Sequence, residues 1–167
     1  MRHLILTLSA VLLLAACNPS APPAPTTGIV RYSSDASFDT VRDDLQQAIL
    51  AKGLVIDNTS HIARMLERTG KDVGSTKPVF AEGRGDAFSF CSAVLSRKTM
   101  ETDPHNIAFC PYAIVVYSPA NEPKKVYVAY RRPVTSEGSD ASRAALKEVE
   151  VLLDSIAREA VGMKGEA

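Results

Sequence analysis

Apolar and polar residues alternate along the chain with two different periods, and the pattern predicts both helices and strands. Three- and four-residue spacing predicts one helix over 38–52 and another over 140–161, each with a single apolar face. The inward residues of the first are Phe38, Val41, Leu45, Ala48 and Ile49, and those of the second are Leu146, Val149, Leu153, Ile156 and Ala160. Gly53 and Gly162 follow these helices, as is typical of helix C-termini.

Shorter runs rich in β-branched and aromatic residues predict the strands. These runs cover 28–33, 54–56, 79–81, 87–90, 107–117 and 126–130. We expect 54–56 to pair with 28–33 after the helix between them. The run 113–117 is continuously apolar, which favours a central strand buried on both faces, and 126–130 should return antiparallel to it.

Two further helices are short and cover 60–69 and 92–100. In the first of them, the residues expected to face inward are Ile62, Met65 and Leu66. Glycines predict an exposed loop at 71–78 and a turn at 83–86. The elements together predict an α+β fold, in which helices pack on a central, mostly antiparallel sheet within a single domain over 28–167.

The N-terminus has the pattern of a secreted, lipid-modified protein. Arg2 and His3 precede an apolar run that is too short to span a bilayer as a permanent helix, so residues 1–16 are predicted to be a signal peptide. The sequence Leu14-Ala15-Ala16-Cys17 resembles the lipobox of bacterial lipoproteins, which implies that Cys17 carries a lipid anchor.

The residues after Cys17 are almost wholly Pro, Ala, Ser and Thr as far as Thr27, and they predict a semi-rigid tether. Segment 17–27 would therefore join the anchor to the domain. The lipoprotein resemblance makes Asp at the position after the cysteine the usual inner-membrane retention signal. Asn18 stands there, which favours the outer membrane of a Gram-negative cell, with the domain facing the periplasm.

The charge of the chain is balanced, with 19 Lys and Arg against 19 Asp and Glu. No basic stripe runs along the sequence, so neither nucleic acid nor anionic lipid is an evident partner. The expected partners are the membrane, through the lipid anchor, and an envelope protein or a small ligand. An exposed sheet edge offers a route to a homodimer.

Cys91 and Cys110 are the main candidates for chemistry in the domain. Two cysteines in one secreted domain tend to pair, so a structural disulfide is the first interpretation. A redox-active pair is the second, since Cys91 precedes a predicted helix whose N-terminus lowers a thiol pKa. No Cys-x-x-Cys motif is present, and the neighbouring Phe88, Phe90 and Phe109 favour a buried, unreactive sulfur.

Metal binding is the third interpretation, although the spacings match no compact zinc motif. The candidate ligands for copper or zinc are His61, His105, Cys91 and Cys110. Glu82, Asp86 and Glu101 have no spacing that distinguishes a catalytic acid–base pair from surface carboxylates. No cofactor is predicted, and an enzyme is not favoured.

The order of the elements and the two cysteines resembles a family known only as domain of unknown function 302, DUF302. The matching segments are Phe90-Cys91-Ser92-Ala93, Thr102-Asp103-Pro104 and Phe109-Cys110-Pro111-Tyr112, within 38–130. Ser92-Ala93 stands where the family has Asn-Pro, and Pro111 follows Cys110 rather than preceding it. The resemblance implies a compact α+β unit and no particular activity.

The expected function is that of an envelope lipoprotein whose domain is a periplasm-facing binding or interaction module with a structural disulfide. The alternative is a thiol-redox or copper- or zinc-binding periplasmic protein that uses Cys91 and Cys110.

Overall fold

A computed structural model describes residues 28–134, 136 and 138–163. The strands are β1 Ile29–Ser34, β2 Val55–Ser60, β3 Phe80–Cys91, β4 Tyr112–Pro119 and β5 Val126–Arg131. The helices are α1 Phe38–Ala51, α2 Ile62–Thr69, α3 Ala93–Thr102 and α4 Asp140–Ala160, with a 3₁₀ helix at Pro104–Phe109. The predicted signal peptide, Cys17 and the tether lie outside the described residues.

The five strands form one antiparallel sheet in the order β1-β5-β4-β3-β2. Helices pack on this sheet, so the predicted α+β class and its antiparallel sheet are confirmed. β4 holds the central position, as its apolar sequence predicts. Among the described residues, no helix combines the length and hydropathy that crossing a membrane requires.

The predicted pairing of the first two strands is wrong, because β1 and β2 lie at opposite edges of the sheet. β1 pairs with β5, and β2 pairs with β3. The strands β3, β4 and β5 pair successively and fill the centre, while α1 connects the two edge strands β1 and β2 along the chain. Pairing of this kind depends on contacts distant in sequence, which local patterns do not encode.

The hydrophobic core lies between one face of the sheet and the helices α1 and α4. In β4, burial alternates strictly, with Ile114 and Val116 fully buried and Val115 and Tyr117 only partly buried. The expectation that β4 is buried on both faces is therefore wrong. The second face is covered only in part, and α2 packs there against β3.

The predicted turn at 83–86 is also wrong, because this segment lies inside the long strand β3. The extra residues are accommodated by an irregularity in the pairing with β4 between Phe80 and Gly85. A Cβ atom at Gly85 would lie 3.1 Å from the Cβ atom of Ala63 in α2. The glycine therefore allows α2 to approach the strand closely.

α2 forms as predicted and Ile62 is partly buried, but Met65 and Leu66 do not face inward. Met65 is 41% exposed and Leu66 is 38% exposed, and Ala63 is the buried residue of this helix. The expectation for Met65 and Leu66 is wrong because α2 contacts the sheet through a narrow strip around Ala63.

Candidate functional site

The two cysteines of the domain meet at one end of the sheet. Cys91 is the last residue of β3, and Cys110 lies between the 3₁₀ helix and β4. Their Sγ atoms lie 2.8 Å apart, as two unbonded thiols. The structure therefore brings together the two sulfurs that the sequence singles out.

The local sequence explains why a helix begins directly after Cys91, the last residue of β3. Ser92 adopts an extended conformation, and its Oγ atom accepts a hydrogen bond of 3.3 Å from the backbone N–H of Leu95. This N-cap satisfies one of the free donors of the first turn of α3. The Phe90-Cys91-Ser92-Ala93 segment thus ends a strand and begins a helix within two residues.

Two polar residues bring the chain back to Cys110. Asp103 caps the 3₁₀ helix by accepting a hydrogen bond of 2.9 Å from the N–H of His105. The buried amide of Asn106 donates to the carbonyl of Thr99 at 3.0 Å and to Oγ of Ser142 at 2.8 Å. Because these bonds join the 3₁₀ helix to α3 and α4, the position of Cys110 is fixed relative to both helices. The peptide bond between Cys110 and Pro111 is cis.

The immediate surroundings of the sulfurs are polar on one side. Oγ of Ser96 lies 3.8 Å from Sγ of Cys110 and 3.3 Å from the hydroxyl oxygen of Tyr112. Cys91 is an exposed residue, which contradicts the expectation of a buried sulfur. The reason is alternation along β3, since Phe88 and Phe90 face the core on the opposite side of the strand.

The thiol of Cys91 does not readily lose its proton in this arrangement. Partial burial, followed by the hydrogen bond and the charge of Cys110, raises the pKa of Cys91 to about 12. In the reduced pair, Cys91 therefore keeps its proton at neutral pH.

A second polar cluster, which the sequence analysis missed, lies farther back along β3. Asp86 is 6% exposed, and its carboxylate accepts hydrogen bonds from Nε of Arg42 at 2.7 Å and from Nδ1 of His61 at 2.8 Å. The cluster joins α1, β3 and the start of α2. The sequence contained one indication of this cluster: Asp86 lies on the same face of its strand as the apolar Phe88 and Phe90, so its carboxylate faces the interior.

The four candidate metal ligands are not brought together. His61 bonds Asp86, which precedes Cys91 by five residues of β3, or about 16 Å of strand. His105 is exposed at the start of the 3₁₀ helix. Within 28–163, apart from the two undescribed positions, no group of three or more His, Cys, Asp or Glu residues is placed to hold a metal ion.

An open groove of 710 Å³ lies between α4 and the neighbouring strands β1 and β5. Oδ1 of Asp154 accepts hydrogen bonds from the hydroxyls of Tyr32 at 2.5 Å and Tyr130 at 2.9 Å, while Oδ2 accepts from Nε of Arg158 at 2.7 Å. Burial alone acts to raise the pKa of Asp154, but the bonds from Tyr32, Arg158 and Tyr130 hold it below the usual value. Burial and then the bond to Asp154 raise the pKa of both tyrosines.

The same groove holds a buried ion-pair network. Glu150 is 5% exposed, and its carboxylate lies 2.9 Å from Nη1 of Arg132 and 2.8 Å from Nζ of Lys147. Every carboxylate in the groove is therefore bonded to tyrosines or cations. This geometry holds β1 and β5 on α4 and leaves none of these carboxylates unpaired to act as a base.

Comparisons with known proteins identify a family and a similar solved structure. The family model described as "Domain of unknown function DUF302" matches residues 30–160. A solved structure described as an uncharacterized conserved DUF302 protein from Bacillus stearothermophilus is similar, with a TM-score of 0.66 and 11% sequence identity. The similarity covers 81% of this chain and 99% of that chain, and it shows the fold alone. No curated protein matches. Since the family model spans most of the chain, the protein belongs to the DUF302 family.

Proposed function

We propose that the protein is a lipid-anchored module of the bacterial envelope that faces the periplasm and binds a partner without catalysing a reaction. Its fold is braced by a disulfide between Cys91 and Cys110. The observation that carries the proposal is the distance of 2.8 Å between the Sγ atoms of Cys91 and Cys110, which lie at the two ends of the segment 91–110. The proposed location rests on the signal-peptide pattern, the lipobox-like sequence at Cys17 and the tether.

The disulfide follows from compartment and position. The periplasm is oxidising, and two adjacent thiols in a secreted domain tend to be oxidised there. A bond between Cys91 and Cys110 would close a loop of about 20 residues that contains α3 and the 3₁₀ helix. Such a loop contributes about 3 kcal/mol to the free energy of unfolding, chiefly by restricting the unfolded chain.

The non-enzymatic role is supported by how the polar groups are used. The buried carboxylates of Asp86 and Glu150 are both held in ion pairs. When the pair is reduced, the thiol of Cys91 has a raised pKa, whereas a catalytic thiol needs a lowered pKa. These groups hold elements of the fold together, which suits a rigid binding module.

The exposure of Cys91 favours one alternative, a thiol-redox protein. In that alternative, a dithiol partner reduces the Cys91–Cys110 disulfide, which takes up two electrons and two protons while the partner becomes a disulfide. In the opposite direction, the reduced Cys91 and Cys110 give two electrons and two protons to a disulfide of the partner, which becomes a dithiol while Cys91 and Cys110 form the disulfide. Metal binding at Cys91 and Cys110 would need ligands other than His61, since His61 is bonded to Asp86.

Alkylation followed by intact-mass measurement distinguishes these functions. The protein is purified from the periplasm-facing membrane without reductant and treated with a thiol reagent before and after reduction. A structural disulfide gives no labelling before reduction and two labels at Cys91 and Cys110 afterwards. Fast labelling of the untreated protein would contradict the structural role, and the variant Cys110→Ser provides the control for a single free thiol.

Lipidation is tested separately at Cys17. Cells that express the chain are supplied with a labelled fatty acid, and the wild type is compared with Cys17→Ala. Label and membrane retention should both be lost in the variant. A wild-type chain that is released into the periplasm without label would overturn the proposed anchor.

A further inference from the structure

α2 and the loop after it present a surface that is both apolar and basic, although the chain as a whole is electrically balanced. The exposed apolar residues of this "α2 surface", with their exposed fractions, are Met65 41%, Leu66 38%, Val73 73% and Val79 55%. The cations among them are Arg64, Arg68, Lys71 and Lys77. With Glu67 and Asp72 as the only acidic residues in 61–79, the segment has four positive and two negative charges.

None of the four cations makes an ion pair with a described residue. Elsewhere in the described domain, many cations are paired, such as Lys98 with Glu148 and Arg158 with Asp154. The folded chain therefore concentrates unpaired positive charge around exposed apolar side chains. This segregation is invisible in the overall composition.

The same surface contains a groove of 500 Å³ between α2 and the loop. Its lining includes an apolar part and a basic part: Leu66, Val79, Phe80, Arg68, Lys71 and Lys77. A ligand that fits this chemistry has an anionic head and an apolar body. Basic residues beside exposed apolar ones are also typical of helices that lie in a membrane interface.

We propose that the α2 surface docks on a bilayer that contains anionic phospholipid. The lipid phosphates would contact Arg68, Lys71 and Lys77, and Met65 and Leu66 would enter the interface between head groups and acyl chains. The inference rests on the proposed lipid anchor at Cys17, because a tether of ten residues would span about 31 Å if it were extended as polyproline. An anchored domain whose radius of gyration is about 14 Å can then turn this surface onto the membrane that holds it.

A tryptophan probe tests the docking directly, since the chain contains no tryptophan. The lipidated full-length chain is purified from the envelope with Leu66→Trp and reconstituted in phosphatidylcholine vesicles with or without phosphatidylglycerol. We expect the emission to shift to shorter wavelength, with quenching by brominated lipid, only when phosphatidylglycerol is present. Val73→Trp is a second probe in case the first variant fails to fold, and Val94→Trp, 77% exposed on α3, is the control that should not respond.

Charge recognition is tested with two matched lysines. Lys77 and Lys124 are both exposed and adjacent to a proline, and neither pairs with an acidic residue in the part of the chain that the structure describes. In the Leu66→Trp background, Lys77→Glu should weaken docking by at least about fivefold, because the variant loses one positive charge and gains a negative one. The measured quantity is the phosphatidylglycerol fraction that gives half of the emission shift. Lys124→Glu should leave it unchanged.

Emission that is identical on both vesicle types overturns the proposal, as does an equal loss with Lys77→Glu and Lys124→Glu. A shift caused by soluble polyglutamate but not by phosphatidylglycerol also overturns it, and identifies an acidic protein as the partner. If the chain does not float with either vesicle type, the anchor of the proposed function fails. The emission shift of the Leu66→Trp variant on addition of phosphatidylglycerol vesicles is then still measured, and it decides by itself whether the α2 surface docks.

Discussion

α4 and α2 are both amphipathic helices by sequence, but the fold treats them differently. α4 runs from Asp140 to Ala160 and buries nine of its residues against the sheet and the helices α1 and α3. α2 runs from Ile62 to Thr69 and buries only Ala63. A periodic apolar pattern therefore predicts that a helix forms, but it does not determine whether another element covers the apolar face.

The cause of the difference is partly length and partly connection. α4 presents its apolar stripe over several turns, so it can span the sheet from α3 to the edge strand β1. α2 has two turns and is held by the adjacent strands β2 and β3, with glycine at position 85 allowing a close approach. α4 therefore stabilises the domain, whereas α2 is held on its surface with most of its residues exposed.

The largest expected contrast comes from truncating one leucine in each helix. Leu153 of α4 is 2% exposed, so Leu153→Ala removes a buried side chain and should lower the free energy of unfolding by about 2–5 kcal/mol. Leu66→Ala in α2 should change it by no more than about 0.5 kcal/mol, because Leu66 is 38% exposed. Urea unfolding of both variants measures the contrast. Equal losses would mean that α2 is covered in solution by another surface.

The sequence was sufficient for much of this architecture. The spacing of Leu146, Val149 and Leu153 predicts α4 and its buried face, and the β-branched run at 113–117 predicts the central strand. These features are local, so a window of a few residues contains them. The edge positions of β1 and β2 depend on pairing with β5 and β3, and local patterns contain no such information.

The sites show the same limit. The sequence indicated that Cys91 and Cys110 could meet, and the structure places their sulfurs 2.8 Å apart. It did not predict that Asp86 would bond Arg42 and His61, since these three residues lie in three separate elements. Nor does the balanced charge of the whole chain reveal the basic surface around α2, although its four cations lie in the single segment 61–79.

A second contrast concerns the polar bond that holds the start of α2. Asp86→Asn replaces a buried carboxylate that accepts from Arg42 and His61, leaving the guanidinium only the longer, exposed contact of 3.6 Å with Asp43. We expect a loss of about 2–3 kcal/mol in unfolding free energy, limited by the partial exposure of both partners. Faster amide exchange in α2 than in α4 would locate the effect.

The control for this substitution is Asp72→Asn in the exposed loop, where the carboxylate makes no bond to a described residue. It should leave both stability and exchange unchanged. A similar loss in the two variants would show that net charge, rather than the Asp86 cluster, holds α2.

A third contrast concerns the pH dependence of the α4 contact. The pKa of Asp154 is lowered in the folded protein, where its carboxylate accepts bonds from Tyr32, Tyr130 and Arg158. The native state thus binds fewer protons here than the unfolded chain. The resulting stability is fully present above the unfolded pKa of about 4 and is lost as the pH falls through the lowered native value.

Asp154→Asn should therefore cost about 1–2 kcal/mol at pH 7, and the gap between wild type and variant should narrow as the pH falls below about 4. Denaturant unfolding at a series of pH values measures this. Asp44→Asn on α1, an exposed carboxylate with no bonded partner among the described residues, is the control. A gap that is constant with pH would mean that the hydrogen bonds, and not the charge, carry the effect.

The smallest contrast lies at the helix starts. Ser139 caps α4, since its Oγ atom accepts a hydrogen bond of 3.1 Å from the N–H of Ser142, whereas His61 at the start of α2 makes no side-chain cap bond. Ser139→Ala should cost about 1 kcal/mol and Ser139→Gly only a few tenths, as measured by thermal unfolding. Because α4 carries both a cap and a buried face, this loss should add to that of Leu153→Ala, which lies more than three turns away. A double variant that loses more than the sum would show that the first turn and the buried face of α4 form cooperatively, a dependence that the short, uncapped α2 does not have.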